Sequence, residues 1–324
     1  MLKQKTAWVM SVLAVSMALT ACQPKNNEPK QEQQAQAAEV EQQALKLIGE
    51  PEKLQLNVPE CEGKNCPELS VERLQSNQPF VDEQIDQYIL KELNQTLEIA
   101  PADKPLNVES QASAAEPASS AQALTQIPTP KQKLEQQVQP FIAAFLSLDQ
   151  EIKALSANHQ ISLMIKPKIL NSEGPLATVV VNSSSYLGGA HGATAQTYFN
   201  FDLEQKKQVK LADILQPQQR AALEAAAYEA FKQWVVDSKL ANNVAEYEQA
   251  WKFKLSDNFY LGQQGLILQY AEYEIGPYVV GLPRLMIPYA ELQQVLKKPY
   301  LPAPEAPASE ATTAAASSAD AKTI

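Results

Sequence analysis

A glycine-rich stretch with one histidine is the part of the sequence best suited to chemistry. Residues 186–203 read YLGGAHGATAQTYFNFDL and include Gly188, Gly189, His191 and Gly192. In such a turn a histidine can act as a general base, contact a ligand, or hydrogen-bond the local backbone. The glycines favour a corner or β-bulge with positive φ just before an alternating strand. We therefore treat Gly188, Gly189 and His191 as candidate binding residues.

A hydrolase that uses His191 as its base is the alternative interpretation. Such an enzyme needs a nucleophile or water, and an orienting acid, near the imidazole. The serines Ser183, Ser184 and Ser185 precede the histidine, and Asp202 follows it across a possible hairpin. The sequence contains no G-x-S-x-G nucleophile elbow. We therefore predict no catalytic residues and a protein that is not an enzyme.

Tyrosines and glutamates mark a second candidate segment. Tyr273, Glu274 and Tyr278 lie in the run AEYEIGPYVVG. Tyrosine offers a flat surface with one polar end, which suits ligand contacts, although such residues also pack half-buried. In an extended segment Glu272 and Glu274 would share one face and suit a cation or a basic partner; otherwise they lie in a solvated loop. We predict that Tyr273, Glu274 and Tyr278 contribute to a binding site.

The cysteines and histidines argue against a metal site. Cys61 and Cys66 are separated by four residues, which in an exported protein predicts a short disulfide loop. A zinc site needs four suitable ligands, and no further Cys/His pair accompanies these cysteines. His159 and His191 do not have H-x-x-H spacing. We therefore predict no metal and no cofactor.

The first residues predict export and lipid anchoring. The apolar stretch 8–19 follows two lysines and is short for a membrane span, which is typical of a signal peptide. The next residues, Leu-Thr-Ala-Cys, resemble a bacterial lipobox, which implies removal of residues 1–21 and lipidation of Cys22. Gln23 stands where an aspartate would imply retention at a Gram-negative inner membrane. We expect an outer-membrane lipoprotein that faces the periplasm and touches the membrane only through its lipid anchor.

The charge of the chain constrains its partners. The sequence has 27 basic and 37 acidic side chains, a formal net charge of −10. Because nucleic acids are polyanions, we predict no nucleic-acid partner. A basic protein would be attracted to such a surface, although an acidic balance also serves solubility alone. The composition indicates no particular oligomeric state.

Low-complexity segments divide the chain. Residues 22–46 are rich in Gln, Glu and Ala, while residues 101–132 and 301–324 are rich in Ala, Ser and Pro. They contain few large apolar side chains to offset the entropy cost of ordering, so we predict a disordered tether, insertion and tail. We expect the remainder to form one compact domain. Its limits are 47–300, with an N-terminal part 47–100 and a main part 133–300.

Hydrophobic periodicity predicts an α+β fold. The predicted strands lie at 54–58, 66–74, 161–165, 176–181, 198–203, 209–211, 259–261, 266–270 and 284–287. The first predicted helix starts near Ser76–Asn77, and the second spans about 134–152, with a kink or late start at Pro140. A third predicted helix covers 217–236, and a short closing helix covers 290–296. The expected buried faces are Val81, Ile85, Ile89 and Leu93, and Leu223, Ala227, Phe231 and Trp234. Strands come as hairpins with helices between them, so we predict a mainly antiparallel sheet with helices packed on it.

Several motifs resemble the RsiV-type extracytoplasmic domain family, which is largely catalogued as being of unknown function. In chain order they are YLGGAHG at 186–192, NFDL at 200–203, LADIL at 211–215, YEIGPYVVG at 273–281 and IPYAEL at 287–292. The resemblance covers about residues 186–296. Residues 54–95 and 160–185 more weakly resemble the companion domain that usually precedes it.

The resemblance implies a binding protein. The best-known member of the family is a membrane anti-sigma factor whose outer domain binds lysozyme, so lysozyme or a peptidoglycan component is the implied partner. A lipobox replaces the transmembrane helix of that member, which argues against control of a sigma factor. The turn 204–207 lacks the glycine that the family often has, so its geometry is expected to differ. We predict a non-enzymatic cell-envelope lipoprotein whose periplasmic domain binds a protein or glycan ligand.

Overall fold

The computed structural model describes residues 45–62, 65–98, 127–155, 160–172 and 174–302. These residues belong to one compact unit that begins at Ala44. The expected signal peptide, Cys22 and His159 lie outside the described residues, as do most of the expected tether, insertion and tail. Among the described helices, none is long and apolar enough to cross a membrane.

The larger sheet is built in the order of the chain. Its described strands are β1 Gly49–Lys53, β2 Glu68–Ser76, β3 Ser162–Asn171, β4 Ala177–Tyr186, β5 Ala193–Asp202 and β6 Lys207–Val209. Neighbouring strands pair antiparallel except β2 and β3, which run parallel. A parallel pair needs a crossover connection, which the helices between β2 and β3 supply. The predicted antiparallel α+β character is confirmed, whereas the hairpin pattern does not predict the parallel pair.

A smaller sheet contains the later strands. They are β7 Phe259–Leu261, β8 Gly265–Gln269 and β9 Arg284–Pro288, paired antiparallel in that order. The predicted β7–β8 hairpin is confirmed, because Leu261 pairs with Leu266 across the turn. Gly265 is required there, since a Cβ atom would overlap the Ile287 carbonyl oxygen on β9. The strands thus form two sheets, whereas the hydrophobic pattern of the sequence does not indicate which strands belong to which sheet.

Helix α1, Pro79–Thr96, forms where a start signal precedes an apolar stripe. Pro79 occupies the first turn, where its missing N–H removes no helical hydrogen bond. The buried residues of the stripe are Val81, Ile85, Ile89 and Leu93, as predicted. The start differs from the prediction, because Gln78 is the N-cap and caps nothing with its side chain. Instead, the Asp82 carboxylate accepts hydrogen bonds from the backbone N–H and the hydroxyl of Ser76.

A break at Val138 divides the predicted long helix. The resulting helices are α2, Pro130–Gln137, and α3, Gln139–Ala154. Pro140 lies in the first turn of α3, so a break just before the proline stands where the sequence predicts a kink or a late start. A capping box formed by Thr129 and Gln132 starts α2 and satisfies backbone donors that would otherwise lack partners.

Helices α4 Leu211–Ile214, α5 Arg220–Asp237 and α6 Val244–Ala250 connect the sheets. Helix α5 begins at Arg220 rather than Pro217, since Gln218 has a left-handed φ of 64°. Its buried stripe continues to Val235, while the predicted Trp234 is only partly buried. Helix α6 is not predicted by the sequence pattern. Single 3₁₀ turns follow at Tyr278–Val280, Tyr289–Leu292 and Lys298–Tyr300, the second replacing the predicted closing helix.

The predicted first strand is displaced toward the N-terminus. Strand β1 ends at Lys53, and the segment Leu54–Val58 that follows is not a described strand. Leu54 is buried, and Leu56 and Val58 are partly buried against the same core. Their alternation therefore reflects one-sided anchoring of an irregular segment, not strand pairing.

A core lies on each face of the larger sheet. Helices α1, α2 and α3 cover one face, and with β1–β6 they form the N-terminal half. The opposite face, near β4–β6, is covered by α4–α6 and β7–β9, which form the C-terminal half. The predicted alternation on β5 is confirmed, because Phe199, Phe201 and Leu203 join the first core. Asn200, which points the other way, is also buried.

Buried hydrogen bonds join the halves between β5 and β7. The Nδ2 of Asn200 donates to the Phe259 carbonyl oxygen at 2.8 Å, and the Thr178 hydroxyl donates to Asn200 Oδ1 at 2.9 Å. Nearby, Asn258 Oδ1 accepts from the Tyr198 backbone N–H at 2.8 Å. Asparagine side chains thus connect sheets that share no backbone ladder.

Replacement of Asn200 by alanine should destabilise the protein. Asn200→Ala removes the donor to Phe259 and leaves the Thr178 hydroxyl without its acceptor in a buried place. We expect the free energy of unfolding to fall by about 1–3 kcal/mol, measured by urea denaturation. The matched control is the exposed Asn242. Asn242→Ala should change stability by less than about 0.5 kcal/mol, and equal losses in both variants would contradict the role of Asn200.

The predicted disulfide between Cys61 and Cys66 is confirmed, with Cα atoms 5.7 Å apart. A cross-link over so short a loop stabilises mainly by restricting the unfolded chain. We expect the double variant Cys61→Ser, Cys66→Ser to lose about 2 kcal/mol of unfolding free energy. A reductant should lower the stability of the wild type by the same amount and leave the double variant unchanged. A stability loss in the double variant on reduction would contradict this assignment.

Candidate functional site

The loop between β4 and β5 carries the predicted histidine. Regular pairing with β5 ends at Ser185, and residues 187–192 form a hairpin loop rather than the expected bulge. Gly188 and Gly189 have φ angles of 91° and 108°, as the glycine pattern predicts. The expectation of positive φ at Gly192 is wrong. Gly192 is needed for close approach, because a Cβ atom there would lie 2.7 Å from the Ser185 carbonyl oxygen.

The loop between β8 and β9 carries the predicted tyrosines. Tyr273 has a φ of 61°, a left-handed conformation that is uncommon for a residue other than glycine. Gly276 packs against α6, since a Cβ atom there would lie 2.8 Å from the Tyr247 hydroxyl oxygen. That hydroxyl donates to the Ile275 carbonyl oxygen at 3.0 Å. Helix α6 therefore fixes the loop that presents Tyr273 and Tyr278.

The two loops meet in a group of nearly parallel rings, which we call the aromatic platform: His191, Tyr273, Tyr278 and Trp251. The His191 ring stacks on Tyr278, with ring centroids 3.9 Å apart and planes 20° apart. Tyr273 lies 5.7 Å from Tyr278 and 6.5 Å from Trp251 between ring centroids. Tyr273 is 50 % exposed and Tyr278 is 36 % exposed. The platform is thus ordered by its own contacts and open to solvent.

Hydrogen bonds hold His191 in one orientation. Its Nδ1 lies 3.1 Å from the Gly192 carbonyl oxygen, and its Nε2 lies 2.9 Å from the Tyr273 hydroxyl oxygen. Because a carbonyl oxygen only accepts, Nδ1 carries a proton, and in the neutral ring Nε2 accepts from Tyr273. Tyr278 also donates to the Gly192 carbonyl oxygen, at 3.1 Å. The structure therefore brings together His191, Tyr273 and Tyr278 of the candidate binding residues, while Gly188 and Gly189 shape the loop that carries His191.

The carboxylates of the glutamates beside the platform are engaged by neighbouring groups of the protein. Glu274 Oε2 accepts from the Ala271 backbone N–H at 2.7 Å, and Glu274 Oε1 pairs with Lys254 Nζ at 2.9 Å. Glu272 Oε1 accepts from the Thr194 hydroxyl at 2.6 Å. The segment is a turn, so the extended geometry considered for a carboxylate pair is wrong. Glu274 lies next to the platform in sequence but is engaged by Ala271 and Lys254.

Two groups of the hydrolase alternative, Ser183 and Asp202, form hydrogen bonds elsewhere. The Ser183 hydroxyl donates to Glu92 Oε1 at 2.7 Å. Asp202 lies at the far end of β5, where its carboxylate accepts hydrogen bonds from Gln205. Since a strand advances about 3.3 Å per residue, roughly 30 Å separates Asp202 from the histidine loop. The His191 ring forms hydrogen bonds with the Gly192 carbonyl oxygen and the Tyr273 hydroxyl instead.

A polar network lies at the junction of the halves. Arg284 on β9 donates to Gln269 Oε1 at 2.7 Å and to Gln196 Oε1 at 2.5 Å. Tyr198 stacks on Tyr260, with ring centroids 4.5 Å apart. Burial raises the pKa of Tyr198, although the Arg284 guanidinium acts in the opposite direction. The Tyr198 phenol therefore remains a neutral hydrogen-bonding group at this junction.

A separate cleft of about 700 Å³ lies between α1, α2 and β2, and the candidate binding residues do not line it. Arg73 is buried there and pairs with Asp86 at 2.8 Å. Burial raises the pKa of Asp86 in spite of the lowering effect of Arg73. Lys131 pairs with Glu52 at 2.9 Å. The principal charges of this cleft are therefore compensated by one another.

Some features of the site have no strong sequence signal. Trp251 directly follows α6, and its contact with Tyr273 depends on the tertiary fold. The contact between Glu272 and Thr194 joins residues 78 positions apart. Within the part of the chain that the structure describes, no group of three or more His, Cys, Asp and Glu side chains is arranged to hold a metal ion.

Comparison with known proteins gives a family without an assigned function. Residues 212–290 match the family described as "Protein of unknown function (DUF3298)". This segment contains Trp251, Tyr273 and Tyr278 of the platform, while His191 precedes it. No curated protein matches the sequence.

A solved structure of a DUF3298 family protein shares the fold. A DUF3298 family protein from Pseudomonas aeruginosa PAO1 is 24 % identical with a TM-score of 0.55, over 80 % of this chain and 97 % of that one. A DUF3298 member from Bacteroides fragilis NCTC 9343 is 19 % identical with a TM-score of 0.49, over 78 % and 92 % of the two chains. The chain thus carries, in residues 212–290, a segment that matches the DUF3298 family, while the finer RsiV-type likeness rests on the motifs alone.

Proposed function

We propose that this chain is a non-enzymatic cell-envelope lipoprotein whose periplasmic domain binds a protein or glycan ligand at the aromatic platform. The observation that carries the proposal is the convergence of the β4–β5 and β8–β9 loops, which stacks His191 on Tyr278. These rings stay exposed although their geometry is fixed. Exposed and preorganised aromatic residues are typical of binding surfaces, because little conformational entropy is lost when the ligand arrives.

The surroundings of the platform suggest the ligand. Val279, next to Tyr278, is 86 % exposed and extends the apolar surface. The net charge of −10 favours a basic protein, and the RsiV-type resemblance makes lysozyme the first candidate. A peptidoglycan component is the second candidate, because sugar rings stack on aromatic side chains. Both ring nitrogens of His191 are engaged, which supports a role in positioning over the role of a base.

Loss of the Tyr278 ring should weaken ligand binding. Titration calorimetry of the full-length chain with lysozyme, and separately with soluble peptidoglycan fragments, measures the affinity. We expect Tyr278→Ala to bind at least about tenfold more weakly, since it removes a ring that both faces solvent and orders His191. Tyr278→Phe retains the ring and removes only the hydrogen bond to Gly192, so it should retain most of the affinity.

Met286 provides the control for this experiment. It lies on β9 outside the platform and is 43 % exposed, similar to Tyr278. Met286→Ala should bind both ligands as the wild type does. Failure of the wild type to bind either ligand at high micromolar concentration would contradict the proposal. Release of soluble fragments from peptidoglycan by the wild type, lost in His191→Ala, would favour the hydrolase alternative.

The proposed anchor is a lipid on Cys22. Replacement of that cysteine by serine should abolish lipid modification, because only the thiol accepts the diacylglycerol group. We expect metabolic labelling with palmitate to mark the wild type and not Cys22→Ser, and we expect the wild type to fractionate with the outer membrane. Palmitate incorporation into Cys22→Ser would contradict the anchoring proposal.

A further inference from the structure

A groove lies on the outer face of the larger sheet, opposite α1–α3. Its volume is about 460 Å³, which lies within the range of small-molecule sites. Side chains of β2–β5 form the floor, and the β8–β9 loop contributes to the wall. We call it the sheet groove. Its lining includes Ser70, Met164, Asn182, Ser184, Gln196 and Leu282.

The floor presents side chains rather than free backbone groups. Strand β3 pairs with β2 and β4, and β4 pairs with β3 and β5. The backbone donors and acceptors of these interior strands are therefore used within the sheet. Addition of a peptide as an extra strand requires an open sheet edge, which β3 and β4 do not provide. Over these two strands the groove can recognise a ligand only through its side chains.

These side chains combine apolar surface with neutral hydrogen-bonding groups. Met164 is 49 % exposed and lies directly opposite Ser184 in the β3–β4 register. Asn182 and Gln196 extend the floor, and the Gln196 amide donates to Asn182 Oδ1 at 2.9 Å. Hydroxyl and amide groups both donate and accept. A sugar has the matching surface, with hydroxyl groups at its edge and C–H groups on its faces.

The charges of the groove compensate each other. Lys166 Nζ lies 3.2 Å from Glu72 Oε2, and both residues line the floor. The lining therefore offers no uncompensated charge to a strongly ionic chain. The net charge of −10 on the whole molecule additionally disfavours a polyanion. An uncharged or weakly charged ligand suits this surface best.

The sheet groove and the aromatic platform adjoin each other. Thr194 lines the groove and donates to Glu272, which precedes Tyr273 of the platform. Leu282 also lines the groove and follows, in the same loop, the turn that carries Tyr278. A ligand made of linked rings can therefore stack one unit on the platform and place the next units over Met164 and Ser184.

We infer that the sheet groove binds an uncharged oligosaccharide whose terminal ring stacks on the aromatic platform. This inference rests on the proposed binding function and deepens it by assigning the ligand class. N-acetylhexosamine chains and neutral hexose chains share this chemistry. Separate titrations with the N-acetylglucosamine tetramer and with maltotetraose distinguish these sources.

Filling the groove should weaken oligosaccharide binding and leave the platform intact. Ser184→Leu inserts an aliphatic side chain into the groove and removes a hydroxyl group. The matched control is Ser162→Leu, because Ser162 is also partly buried and lies on the same face of β3 as Met164, outside the lining. In the full-length chain we expect Ser184→Leu to lose at least about tenfold in affinity and Ser162→Leu to match the wild type.

A second variant keeps the inference testable if Ser184→Leu does not fold. Met164 is exposed, so Met164→Ala should retain the circular dichroism spectrum and thermal midpoint of the wild type. We expect it to bind the oligosaccharide several-fold more weakly, by about the contribution of one apolar contact. Met286→Ala, an equal truncation outside the groove, should bind normally.

The outcomes separate this inference from the proposed function. Binding of either oligosaccharide that Ser184→Leu weakens, with Ser162→Leu unaffected, supports the inference and identifies the sugar source. Equal binding by Ser184→Leu and the wild type overturns it, even if Tyr278→Ala still weakens lysozyme binding and so supports the platform. The inference is also overturned if the wild type binds no oligosaccharide and Ser184→Leu loses lysozyme binding. That result would indicate that a protein occupies the groove.

Discussion

Asn200 joins the halves of the fold by donating from its Nδ2 to the Phe259 carbonyl oxygen, while its Oδ1 accepts from Thr178. All these groups lie where water is excluded, so an unpaired donor or acceptor would carry the full cost of desolvation. The contact therefore fixes the position of β7 on β5 more narrowly than apolar packing alone would. The candidate site spans the same junction and depends on that position.

Each loop of the site is anchored on its own side of the junction. Gly188 lies close to α3, where an added Cβ atom would be 3.1 Å from the Ile152 side chain. The opposite loop is held by Gly276 and the Tyr247 hydroxyl. Rings carried on anchored loops meet in a defined geometry, which explains how His191 can stack on Tyr278 while both remain exposed.

The sequence predicts the elements that depend on local residue patterns and misses those that depend on contacts between distant residues. The stripe from Val81 to Leu93 predicts α1 correctly because burial on one helix face repeats every three or four residues. The parallel pairing of β2 with β3 was not predictable in this way, since it depends on a crossover rather than on either strand. The candidate residues His191, Tyr273 and Tyr278 were chosen from separate motifs. Their stacking, and the contact with Trp251, arise from the tertiary fold.

The division of the platform between the halves has a thermodynamic consequence. His191 belongs to the N-terminal half, and Tyr273 and Tyr278 belong to the C-terminal half. A ligand that contacts both sides binds only the population in which the halves are correctly docked, so its apparent affinity scales with that population. By linkage, the same ligand adds its binding free energy to the docking of the halves. Ligand binding at the site and docking of the two halves are therefore thermodynamically coupled.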